Sequence, residues 1–161
     1  MTDIRVMTID YYDDIYELWE KSGENGINTT DDSREGISKY LKRNPKTSFV
    51  ALDNGKLIGM IMAGHDGRRG FIHHMLVSAE YRGQGIGRRL VESAMKALDD
   101  EGINKVALVA YTNNDNGNKF WERMGFNLRD DIFYRNKAIH KLEYKPNKFQ
   151  PERVEDLKKF K

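Results

Sequence analysis

The segment Met75-Leu76-Val77-Ser78-Ala79-Glu80-Tyr81-Arg82-Gly83-Gln84-Gly85-Ile86-Gly87-Arg88-Arg89-Leu90 carries the most explicit chemistry in the chain. A strand-like Met75-Leu76-Val77 runs into a loop with glycines at 83, 85 and 87, and a helical pattern starts at once. The first N–H groups of a helix have no intrahelical acceptor, and they carry the positive end of the helix dipole. Glycines let the backbone approach an anion without a Cβ in the way. Arg82, Arg88 and Arg89 add positive charge nearby. The group to expect here is a phosphate or pyrophosphate.

Two nucleotide motifs fail against this loop. The dinucleotide fingerprint Gly-x-Gly-x-x-Gly, started at Gly83-Gln84-Gly85, needs a glycine where Arg88 stands. The P-loop needs Gly-Lys-Ser/Thr at its end, and the chain has Gly87-Arg88-Arg89. What remains is Arg-x-x-Gly-x-Gly, occupied by Arg82, Gly85 and Gly87.

The elements that must position this loop can be read from periodicity. Ile4–Met7 reads as a first strand. Tyr12, Ile15, Leu18 and Trp19 have helical spacing, with Asp10 as the expected N-cap. A second helix is expected from Ser33 to Arg43, stopped before Pro45. Thr47–Leu52 and Leu57–Gly64 read as strands joined at Asn54-Gly55, the strongest short-range hairpin signal in the chain. Phe71–Val77 follows as a third strand of an antiparallel meander. Helix 85–99, the apolar strand Lys105–Ala110, and helix 116–124 closed by Gly125 come next. Phe126–Leu128 and Ile132–Arg135 read as the last strands, and a short tail helix is expected from Pro151 to Phe160. A helix joins strand 71–77 to strand 105–110, which implies a parallel pair. The expected class is α/β: one mixed, mostly antiparallel sheet with helices on both faces.

With this order of elements, the loop residues take on a specific likeness. The chain resembles the GNAT superfamily of acetyl-CoA-dependent N-acetyltransferases over residues 3–136, its small bacterial members above all. The likeness rests on the hairpin at Asn54-Gly55, on Gly59 in the next strand and on the Arg82–Gly87 loop. It also rests on a second motif with Asn114, Gly117, Trp121, Gly125 and Phe126. Residues Gly64 to Gly70, before the loop strand, share it. The domain is expected to span 1–144, with a basic extension over 145–161.

The resemblance implies site residues. The backbone of Met75, Leu76 and Val77 would pair with the pantetheine arm of coenzyme A as an added strand does. The N–H groups of Gly83, Gln84, Gly85, Ile86, Gly87 and Arg88, beside Arg82, would hold the pyrophosphate. Asn114 matches a position that contacts the cofactor arm. The central parallel strands 71–77 and 105–110 would splay apart to admit the thioester, with a backbone N–H near Leu76 or Val77 holding the oxyanion.

The acid/base is where the chain departs from the family pattern. Trp121 stands where many members have a Tyr acid, and Val109 stands where some have a Glu. An indole N–H is a donor but no practical acid. The resemblance to aralkylamine N-acetyltransferases places a catalytic His at His73. Strict strand alternation puts His73 on the face of Met75 and Val77, and His74 on the opposite face. A water chain between two closely held substrates is the alternative, and a His73 packed against sheet residues is the bland one. Tyr111 and Tyr134 are candidate substitute acids, and Trp19 a candidate wall of the acceptor site. Asp31-Asp32 could recognise a basic acceptor, although helix capping is the simpler role.

Composition bounds the rest. The 161 residues suit one domain on the prior of roughly 100–200 residues. There is no Cys, which excludes a disulfide scaffold, a thiolate zinc site and an acetyl-Cys intermediate, so transfer should be direct in a ternary complex. The four His, at 65, 73, 74 and 140, have no metal-ligand spacing. No apolar run approaches the about 20 residues that span a bilayer, and the expected location is the cytoplasm. The net charge of +2 is too balanced to argue for nucleic acid. The resemblance admits a homodimer. The expected function is transfer of an acetyl group from acetyl-CoA to a primary amine of a small molecule or a protein. The alternatives are a non-catalytic acyl-CoA-binding or regulatory module, and an interaction protein acting through the tail, whose residues 137–161 carry net +4.

Overall fold

A computed structural model describes residues 1–151. The chain order is β1 (Thr2–Val6), α1 (Tyr12–Ser22), α2 (Arg34–Arg43), β2 (Phe49–Asp53), β3 (Lys56–His65), β4 (Gly70–Val77), α3 (Ile86–Asp100), β5 (Val106–Leu108) and α4 (Asp115–Arg123). The strands form one sheet in the order β1-β2-β3-β4-β5. The first three pairings are antiparallel and β4–β5 is parallel. The β2–β3 connection turns through Asn54 and Gly55 at φ 49° and 85°, the doubly positive geometry of a two-residue hairpin.

Two apolar layers flank the sheet. Ile15, Leu18 and Trp19 of α1 and Ile37 and Leu41 of α2 pack against Val50, Met60, Met62 and Leu76 on one face. On the other, α3 buries Ile86, Leu90, Val91, Ala94 and Leu98 against Ile58, Ile61 and Ile72. The spacing of those α3 residues is one helical stripe. A Cβ at Gly59 would lie 3.2 Å from the Leu76 carbonyl oxygen and 3.3 Å from Leu90 Cδ1. The missing side chain is what lets α3 sit this close to β3.

Three expectations are corrected. Asp10 is not the N-cap of α1: it lies inside a 3-10 turn, Ile9–Tyr11, which runs straight into the helix. The strands expected at Phe126–Leu128 and Ile132–Arg135 do not form, and residues 126–142 hold neither helix nor strand. A strand requires a neighbour to take its backbone hydrogen bonds, and among the described residues these stretches pair with none. Finally, His73 and His74 do not point to opposite faces, for a reason given below. Residues 143–150 lie along the 23–29 loop, with Thr29 N–H donating to the Glu143 carbonyl, Lys145 N–H to Ile27, and Lys148 N–H to Gly23. The tail helix expected over Pro151–Phe160 lies, beyond Pro151, outside the described residues.

Candidate active site

The parallel strands part where the chemistry is expected. β4 and β5 pair only from Gly70 with Val106 to Ile72 with Leu108. Beyond Ile72, β4 continues to Val77 without β5 at its side. The Ser78 N–H donates to the Ile58 carbonyl on the β3 side. By alternation, the backbone groups of Met75 and Val77 face the gap. Leu76, between them, turns its side chain into the α1/α2 layer. The gap is therefore lined by strand edge with no strand partner, the surface an extended ligand can complete.

The gap ends at the N-terminus of α3. Gly83 and Gly85 have φ of 79° and 80°, a left-handed backbone that favours glycine. A Cβ at either would meet nothing within 4 Å, so both face open space. The first bond entering the helix runs from Arg89 N–H to the Gly85 carbonyl at 3.1 Å. The N–H groups ahead of it, through Arg88, point out of the helix end, and no side chain caps them. Gly87 has a different reason: a Cβ there would lie 3.1 Å from Met75 Cε and 3.2 Å from Phe120. The Arg82 guanidinium holds the loop shape, donating from Nε to the Val77 carbonyl at 3.0 Å and pairing with Glu24 at 3.1 Å. Arg88 reaches Glu92 at 3.7 Å and is otherwise in solvent. Asn114 uses Oδ1 to cap α4 through the Gly117 N–H at 3.0 Å. Its Nδ2 has no partner among the described residues, and the residue lines the cleft. This open, uncapped helix end fits a pyrophosphate.

The cleft between the helical layer and the gap encloses about 2200 Å³ and is lined by His73, His74, Asp32, Tyr40 and Trp121, among others. His74 reaches it by alternation with Leu76, and His73 reaches it as well because β4 bulges. Met62 pairs with His74 and Ala63 pairs with Ile72, so His73 has no partner on β3. A bulge turns two successive side chains to one side of the sheet. The His73 ring packs 4.7 Å from Phe71 and edge-on to Tyr40 at 5.4 Å. Met75 and Val77 lie in the opposite layer.

The two imidazoles have different surroundings. His73 is open on its cleft side and makes no hydrogen bond among the described residues. Protein crowds its other sides, and this desolvation holds its pKa below the ordinary 6.5. His74 pushes the same way, against the weaker opposing pull of Asp32 and Asp31. The His74 side chain is buried, with Nε2 2.9 Å from Asp32 Oδ1 and Nδ1 3.4 Å from the Asn25 amide. Its ring lies 4.7 Å from that of Trp19. The other Asp32 oxygen accepts from the Asn28 N–H at 2.9 Å. The helix cap expected of Asp31-Asp32 is instead Ser33, whose hydroxyl accepts from the Gly36 N–H at 3.0 Å, and the link of Asp32 to His74 is what the sequence did not reveal. A carboxylate 42 residues away leaves no local pattern to find.

The sequence model of the Acetyltransferase (GNAT) family matches residues 12–126. The chain belongs to the GNAT acetyltransferase family. Among curated relatives, an acetyltransferase of Sodalis glossinidius is 28% identical over 137 residues, covering 85% of this chain and 95% of that protein. An acetyltransferase of Yersinia pseudotuberculosis is 28% identical over 142 residues, 88% of this chain and 99% of the relative. Among solved structures, the Thermoplasma acidophilum PaiA N-acetyltransferase in complex with coenzyme A superposes with TM-score 0.70 at 20% identity, over 82% of this chain and 93% of that one. The aminoglycoside acetyltransferase AAC(6')-Iy with a bisubstrate analogue gives TM-score 0.68 at 20% identity, over 86% and 99%.

The remaining aromatic candidates of this GNAT enzyme divide by position. Trp121 packs between Phe120 and Phe126 at 5.0 and 5.1 Å. The Tyr111 hydroxyl is 3.1 Å from the Asn147 amide, and its ring meets Phe149 at 5.8 Å. Tyr134 lines the cleft but is 67% exposed. Trp19 is fully buried behind His74 and forms no wall of the cleft. No group of three or more metal-ligating side chains occurs among the described residues, nor any helix long and apolar enough to cross a membrane.

Proposed function

We propose that this acetyltransferase moves the acetyl group of acetyl-CoA directly to a primary amine held in the cleft. The observation that carries the reading is the strand gap beyond Ile72 and Leu108 running into the uncapped N-terminus of α3. The N–H groups from Gly83 to Arg88 hold the pyrophosphate, and the gap-facing backbone of Met75 and Val77 holds the pantetheine arm. Asn114 donates from its free Nδ2. Acetyl-CoA supplies the thioester carbonyl, and coenzyme A is its thiolate leaving group. The Val77 N–H is aimed to donate a hydrogen bond to the carbonyl oxygen as negative charge grows there. His73, unbonded and held neutral by its surroundings, takes a proton from the acceptor ammonium, directly or through water. The freed amine nitrogen forms the new C–N bond as the C–S bond breaks and the sulfur departs with the electron pair.

The acceptor approaches from the α1/α2 side, where the cleft lining mixes the acidic Glu24, Asp31 and Asp32 with the basic Arg34, Lys39 and Lys42. The structural relatives include an aminoglycoside and a ribosomal-protein alanine acetyltransferase, so both small-molecule and peptide amines belong in the test. The assay is release of free thiol from acetyl-CoA over an amine panel. With no Cys in the chain, every thiol detected is coenzyme A. Thiol release with at least one amine, and thermal stabilisation by acetyl-CoA, are the expected results. Stabilisation by neither acetyl-CoA nor coenzyme A would overturn the reading. Stabilisation without turnover would favour an acyl-CoA-binding module.

A further inference from the structure

The charges that line the cleft are sorted along α2. Asp31 and Asp32, in the loop entering the helix, lie near enough to His73 to act on its charge. Lys39, Lys42 and Arg43 stand in the C-terminal half of the helix, on the same cavity. Four residues apart, Lys39 and Arg43 share one flank of α2. Tyr40 stands beside them, and its ring meets that of His73 edge-on at 5.4 Å. At about 1.5 Å of rise per residue, Arg43 is only about 4.5 Å along the helix axis from Tyr40. The flank that carries these cations therefore borders the proposed base.

The acids of the cleft are largely engaged, and these cations are not. Glu24 lies between Arg82 at 3.1 Å and Lys148 at 3.5 Å. Asp32 faces His74 at 2.9 Å and accepts the Asn28 N–H. Asp31 accepts from the Asn28 side-chain amide at 3.2 Å. Among the bases, Arg34 pairs with Asp13 at 2.8 Å. Lys39, Lys42 and Arg43 meet no carboxylate within ion-pair distance among the described residues. An exposed lysine is ordinary, and cations in a last turn suit the helix dipole, which accounts for Lys42 and Arg43. It does not account for Lys39, in mid-helix, nor for Lys137, which lines the same cavity from the segment after α4.

Resting on the acetyl-transfer reading, we propose that the acceptor is a primary amine bearing a carboxylate on the same chain. Its ammonium lies toward Asp31, Asp32 and His73, and its carboxylate lies on Lys39 and Arg43. A guanidinium takes a carboxylate through two parallel N–H···O bonds, and an ammonium adds a point charge. The two poles decide which end of such a molecule reaches the thioester, so charge sets orientation as well as class. The cavity of about 2200 Å³ exceeds the roughly 300–1,000 Å³ of a small-molecule site. An acidic peptide and an ω-amino acid both have room there beside the cofactor.

The test is thiol release by the full chain with acceptors matched in pairs. One pair is ε-aminocaproate and its amide. The other is a short peptide with glutamates after an N-terminal alanine, and the same peptide with glutamines. In at least one pair the carboxylate member should be favoured at least about tenfold in kcat/KM, and the pair that shows it separates a small acceptor from a peptide. The double variant K39Q/R43Q should lose that preference, chiefly through a higher KM for the carboxylate member, with coenzyme A affinity unchanged by titration. Equal rates within both pairs, or a faster amide, overturn this inference and leave acetyl transfer standing. A preference that survives the double substitution also overturns it. Thiol release with no amine at all overturns both readings together.

Discussion

His74 Nε2 lies 2.9 Å from Asp32 Oδ1, and both side chains are almost wholly shielded from water. The carboxylate is shared: its second oxygen accepts the Asn28 N–H and so shapes the loop that enters α2. One buried pair therefore joins the strand that lines the gap to the loop that walls the acceptor side. Asp32→Ala would strand the imidazole and the amide together. Leaving buried polar groups without their partner costs about 1–3 kcal/mol, and the loss should appear in the midpoint of urea unfolding. A loss under about 1 kcal/mol would mean that water replaces the carboxylate without penalty.

His73 is the adjacent residue and has the opposite character, a ring that faces the cleft without a hydrogen bond. His73→Gln should lower kcat/KM by about a hundredfold or more if the ring is the base. The wild-type acid limb should lie below the ordinary imidazole value of 6.5, and the variant should lack it. Direct transfer through water alone would leave the acid limb in place. The same ring sets a stability trend. Its folded pKa is depressed, so the unfolded chain binds the extra proton first as pH falls. His73 therefore costs stability from about the unfolded value of 6.5 down to its folded value, and none above. In the Gln variant, unfolding free energy should fall less between pH 7 and pH 5.

The glycine loop allows a separation of backbone strain from ligand contact. Gly85 and Gly102 have φ of 80° and 82°, and a Cβ at either meets nothing within 4 Å. Gly85 precedes α3 and faces the proposed pyrophosphate; Gly102 follows the same helix. Gly85→Glu and Gly102→Glu should each lose about 1–2 kcal/mol of stability from the left-handed backbone. Only Gly85→Glu should also weaken coenzyme A binding, by at least about tenfold, through bulk and like charge. Isothermal titration reads the difference. Equal affinities would move the pyrophosphate away from this loop.

What the sequence revealed was local, and what it hid was not. The loop at 83–87 and the Asn54-Gly55 turn are legible because short-range stereochemistry decides them. The strand-helix-strand order around the loop was legible from periodicity, and with it the parallel β4–β5 pair. The bulge at His73 is a matter of register against Met62 and Ala63, residues on another strand, so alternation misplaced His73 while placing His74 on the correct face. The strands expected at 126–135 do not form, because apolar, β-favouring residues make a strand only where their backbone pairs with an edge, and that pairing is long-range.

One buried amide organises the last stretch of the described chain. Asn147 is 6% exposed. Its Oδ1 accepts from the Phe149 and Gln150 N–H groups at 2.9 and 3.0 Å, and its Nδ2 meets the Tyr111 hydroxyl at 3.1 Å. These bonds tie the 143–150 segment to the exit of β5, on the wall of the cleft. Asn147→Ala leaves two backbone donors and a hydroxyl short of a partner, at about 1–3 kcal/mol for a buried group left unpaired. The loss should be local before it is global. Hydrogen exchange should quicken first at Lys145 and Lys148, whose N–H groups bond to Ile27 and Gly23. Because Tyr111 lines the acceptor cleft, the variant should also raise KM for the amine more than for acetyl-CoA. Equal changes in both would show that the segment supports the fold without shaping the cleft.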